Sequence, residues 1–93
     1  MISAGIWFDP RRAVWMIAVH DSNQKRLVHA EHVSVRKGKT VADALKEALA
    51  IAEAKKAASV GVITKSVAKK DIDAVMKVID DLRAKGADVE VYS

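Results

Sequence analysis

The chain has 93 residues, 51% of them apolar and 30% charged, a composition that suits one small globular domain rather than a disordered chain. It contains no cysteine, so neither a disulfide nor a thiolate-held metal can support it. Sixteen Lys and Arg against twelve Asp and Glu leave a net charge of +4, which permits a polyanionic partner without demanding one.

The first thirty-five residues read as a three-stranded meander. Ile2 to Asp9 and Ala13 to His20 are the first two strands, joined by a turn at Pro10-Arg11-Arg12. Pro10 suits a turn because its φ is fixed and it has no N–H for a ladder. Asp21-Ser22-Asn23-Gln24 carry turn-forming side chains, and Arg26 to Val35 make a third strand rich in β-branched residues. Lys37-Gly38-Lys39 then break the strand pattern. Thr40 and Asp43 form a capping box for a helix over 41–57, with Val41, Leu45, Ala48, Leu49 and Ala52 on its apolar face.

Ser59 to Thr64 is too short for a helix and reads as a buried parallel strand. Ser66 is the expected cap of a second helix reaching about Lys85, with an apolar stripe of Ala68, Ile72, Val75, Met76, Ile79 and Leu82. Gly86 suits the left-handed position after it, and Ala87 to Tyr92 alternate as a half-exposed last strand. The order is βββαβαβ in one α/β domain spanning 1–93, a single mixed five-stranded sheet. The fourth strand is expected at its centre. Right-handed crossovers put both helices on one face.

This order, together with the opening stretch "GIWFDPRRAVWMIAV", resembles the ribonuclease H-like superfamily. The Asp-Pro turn is similar to that of RuvC-type and YqgF-type resolvases. "AGIWFDPRRAV" also resembles the non-catalytic central domain of peptide-chain release factors and Pelota. The resolvase resemblance implies a metal-dependent nuclease in which carboxylates hold Mg²⁺, with Asp9 as the first of them and Asp43 and Glu47 on the first helix as companions. Against this, "VITKSVAKK" places a lysine where the fourth strand would need an acid. Asp9 has a structural reading as well, as an acceptor for the N–H groups of its own turn. The favoured expectation is a module without catalysis or cofactor, whose partner is RNA, DNA or the translation machinery; the alternative is the Asp9-centred nuclease.

Three sets of residues carry these expectations. Small basic clusters, Arg11-Arg12, Arg36-Lys37-Lys39 and Lys65-Lys69-Lys70, are scattered candidates for phosphate contacts. A turn of Pro10-Arg11-Arg12 puts Trp7 opposite Trp15, so Trp7, Trp15, Ile17 and Val19 share a face that neither helix covers. A homodimer closing over that face is the expected solution; base stacking on the tryptophans and a sheet twist that lets the tryptophans cover each other are the alternatives. His20, His29 and His32 lie in one meander, but His29 and His32 differ in strand parity and do not converge on a metal. No glycine pattern that would cradle a phosphate is present, and no small-molecule substrate is indicated. Without a basic leader or a long apolar run, the chain is expected in the cytoplasm rather than in a membrane. Abundant Ala, Val and Lys with four glycines and one proline suit a thermophile.

Overall fold

A computed structural model describes residues 1–93. Strands β1 (Ile2–Asp9), β2 (Val14–Asp21) and β3 (Arg26–Ser34) form the meander, followed by α1 (Val41–Ala54), β4 (Ser59–Ile63), α2 (Lys69–Ala84) and β5 (Val89–Tyr92). The expected order is present. The sheet runs β3-β2-β1-β4-β5. β1, not β4, is therefore the central strand. The hairpin partner β2 occupies one side of β1, and the crossover through α1 brings β4 in parallel on the other.

Each hairpin turns through four residues in the same way. Asp9 Oδ1 accepts from the N–H groups of Arg11 (3.0 Å) and Arg12 (3.4 Å), and Ala13 completes the loop at φ +52°. Asp21 Oδ1 accepts from Asn23 (2.9 Å) and Gln24 (3.4 Å), and Lys25 follows at φ +54°. Because Ala13 belongs to the loop, Trp7 pairs with Met16 and Phe8 with Trp15, one residue away from the expected register. A shift of one residue turns a strand over. Trp15, Ile17 and Val19 consequently point at the helices and are fully buried, so they line no interface. The two faces of β2 differ enough in apolar content to drive this choice, since Trp15, Ile17 and Val19 bury far more surface than Met16, Ala18 and His20. Trp15 packs on Phe8 with ring centroids 5.0 Å apart, and its Nε1 donates to the Val41 carbonyl at 2.9 Å.

Both helices cover this one face, as expected, and share a core with Ala4, Ile6, Phe8 and Val62. The alanines of α1 let it approach closely; Ala44, Ala48 and Ala52 have no exposed surface. Thr40 caps α1 through its Oγ1, which accepts from the Asp43 N–H at 3.0 Å, and the Asp43 carboxylate accepts from the Thr40 N–H at 3.3 Å. Ser66 does not cap α2. The chain first closes a turn, Val67 N–H to Thr64 carbonyl at 3.0 Å, and enters the helix only after Ala68, which offers no side-chain cap. No helix is long and apolar enough to cross a membrane.

The two helices end in the same motif with different residues. Ala57 N–H bonds to Ala52 and Ala87 N–H to Leu82, both at 3.1 Å, after Lys56 at φ +62° and Gly86 at φ +91°. Only glycine adopts that conformation without a Cβ penalty. Lys56→Gly is therefore expected to raise stability by about 0.5–1 kcal/mol, and Gly86→Ala to lower it by about 1 kcal/mol. Thermal or urea unfolding of the two variants checks both signs.

Candidate nucleic-acid interface

β1, β3, β4 and β5 all end at the same edge of the sheet, because β4 runs parallel to β1 and to β5 while β3 is reached through two antiparallel pairings. The β1–β2 turn, the β3–α1 connection and the β4–α2 connection therefore meet there, and both helices begin there. Val35 N–H bonds to the Ala13 carbonyl at 2.8 Å, tying the end of β3 to the first turn. In open α/β sheets the crevice outside the carboxyl ends of the strands is the usual place for a ligand.

The basic clusters that look scattered in the sequence are gathered by this topology. Arg11 and Arg12 lie in the first turn, Arg36, Lys37 and Lys39 before α1, and Lys65, Lys69 and Lys70 at the start of α2. Eight of the sixteen Lys and Arg thus stand at one end. Lys39 pairs with Glu47, and Arg12 lies 3.8 Å from Asp9. The other six make no ion pair. Lys69 and Lys70 occupy the first turn of α2, where the helix dipole disfavours a positive charge by some tenths of a kcal/mol. Shallow concavities flank the edge. One, of about 220 Å³, is lined by Glu31 and Glu47 as well as His32, Ser34, Arg36 and Lys39; the other, of about 600 Å³, by Lys65, Lys69, Met76 and Ser93.

The carboxylates at this end are engaged singly rather than together. Asp9 holds its turn, Asp43 belongs to the capping box, and Glu47 pairs with Lys39. No three His, Asp or Glu side chains are placed to hold a metal ion. Asp9→Ala removes the acceptor for two N–H groups and is expected to cost about 1 kcal/mol, whereas Asp9→Asn keeps an acceptor and costs less. Urea unfolding of the pair checks this ordering. The histidines do not converge either: His29 Nε2 lies 2.8 Å from Glu31 Oε1, while His32 sits beside Met16 in the register.

The face of the sheet without helices carries surface that the sequence reading missed. One row across all five strands runs His32, Met16, Trp7, Ile63, Tyr92, and the next runs Ala30, Ala18, Gly5, Gly61, Glu90. Trp7 is 38% exposed, Ile63 42% and Tyr92 57%, and Leu27 and Val28 on β3 are also exposed. Of the four residues expected on this face, Trp7 alone is there. The available signal was the alternation of Ser59, Gly61 and Ile63 against Val60 and Val62, and of Glu90 and Tyr92 against Val89 and Val91.

No protein-family model matches the chain. No curated protein matches it. Among solved structures, RuvC of T. thermophilus in complex with a Holliday junction substrate is similar over 99% of this chain, with a TM-score of 0.68 at 16% identity. The chain spans 64% of that protein's length. A Ppx/GppA family member from Aquifex aeolicus also aligns, over 98% of this chain and 34% of its own, with a TM-score of 0.48 at 13% identity. The mixed sheet, its strand order and the likeness to RuvC establish that this chain has a ribonuclease H-like fold.

Proposed function

We propose that this chain is a non-catalytic nucleic-acid-binding module that associates with itself. The observation that carries the binding reading is the basic end of the sheet, where six unpaired Lys and Arg meet the starts of both helices. Cations at a helix start oppose the dipole, and a polyanion relieves that opposition. RuvC, which shares the fold, is seen with a nucleic-acid junction, making RNA and DNA the first ligands to test. Self-association is supported by the exposed Trp7, Ile63 and Tyr92 on the uncovered sheet face.

Fluorescence anisotropy with labelled single strands, duplexes and a four-way junction tests the binding, with the Arg11→Ala/Arg12→Ala/Lys69→Ala variant as comparison. Binding is expected for the wild type at low salt and a clear weakening for the variant. The same substrates incubated with Mg²⁺ test the absence of catalysis. Metal-dependent cleavage that disappears in Asp9→Asn would replace this reading with that of a minimal nuclease.

A further inference from the structure

We infer that a second copy of this chain packs on the helix-free face of the sheet, with the Trp7 row of each copy set against the small-residue row of the other. This rests on the self-association part of the function proposed above and names its surface. Three features of the face select this occupant. The first is charge. The strand residues pointing away from the helices include no Lys or Arg, and their carboxylates are Asp9 and Glu90. A nucleic-acid strand therefore finds its counter-charges at the end of the sheet and none on this face. A second copy meets no such repulsion, because Asp9 lies at the end of β1 and Glu90 on the edge strand β5, both at the rim.

The second feature is relief. Met16, Trp7 and Ile63 form a ridge, and Ala30, Ala18 and Gly5 form a trough beside it. A Cβ at Gly5 would meet nothing within 4 Å, whereas one at Gly61 would meet the Tyr92 ring at 3.0 Å, so the trough is open from β3 to β1 and is closed by Tyr92 at β4. A two-fold axis lying across the strands between these rows puts each ridge into the other copy's trough, the self-complementary contact a symmetric dimer requires. The third is area. Five strands about 4.8 Å apart and four to nine residues long give about 500–600 Å² per copy, so about 1,000–1,200 Å² in all, the lower limit for a specific interface. The dimer is accordingly a weak, concentration-dependent one, and this axis leaves the two basic ends pointing in opposite directions.

Sedimentation velocity of the wild type across a wide concentration range, beside Trp7→Ser and Ala18→Arg, tests this. Trp7 is already part-exposed and Ala18 borders solvent on an uncovered face, and circular dichroism verifies that both variants fold. The wild type is expected to dimerise, and each variant to weaken that dimer about tenfold or more. A wild type that stays monomeric at several hundred micromolar overturns self-association itself. A dimer that neither variant weakens leaves self-association standing and overturns this choice of face. Titration with a single-stranded oligonucleotide is expected to leave the Trp7 fluorescence unchanged in emission maximum. Quenching that is lost in Trp7→Ser would give the face to nucleic acid instead.

Discussion

Replacing Trp15 with alanine is expected to destabilise the protein by about 3–5 kcal/mol, a large share of the 5–15 kcal/mol that holds a typical domain together. Trp15 has no exposed surface, packs against Phe8 with the rings tilted by 53° and donates from Nε1 to the Val41 carbonyl, so three kinds of interaction end at one side chain. The cavity left behind lies between β2 and the start of α1, where the alanines of α1 cannot expand to fill it. Trp15→Phe retains most of the packing and loses the hydrogen bond, at a cost of about 1–2 kcal/mol. Trp7→Ser, on the opposite face, should change monomer stability much less. Urea unfolding of the three variants separates the two tryptophans by role. Equal losses for Trp7 and Trp15 would contradict the register.

Nucleic-acid affinity is expected to fall about 10²–10³-fold between 50 and 200 mM salt, which corresponds to roughly four to six phosphate contacts. Six unpaired basic side chains at the end of the sheet set the upper end of that range. The dependence on sequence should be slight. The basic residues come from turns and first helical turns rather than from one helix face, so they are placed to meet phosphates and not to read base edges. Anisotropy titrations at several salt concentrations give the slope directly, and charge removal at Arg36 and Lys37 should reduce it by about one or two units.

The order of elements was legible because each was written in local periodicity: the capping box at Thr40 and Asp43, the stripe of α2, the glycine after it. The faces of the second strand were not. They hinge on whether Ala13 belongs to the turn, and alanine at φ +52° has no compositional signature. Two clues lay elsewhere in the chain. Asp21 opens a second turn of the same length as the one after Asp9, and Trp15, Ile17 and Val19 form the more apolar side of β2. The basic end was unreadable for a different reason. Arg11, Arg36 and Lys65 are far apart in the chain, and only the pairing of β1 with β4 and of β2 with β3 brings their connections to one edge. Likewise, Tyr92 joins Trp7 on the open face only through the register of β4.

The most direct test of the account compares two charge-matched variants at one low salt concentration. In one, Arg11, Lys37 and Lys69 at the carboxyl end of the sheet are changed to glutamate; in the other, Lys25, Lys55 and Lys85 at the opposite end are changed in the same way. Both lower the net charge equally, so a binding that follows net charge alone responds equally to both. The first variant is expected to lose nucleic-acid binding while the second keeps most of it. Equal losses, or a larger loss in the second, would contradict the assignment of the ligand to the basic end.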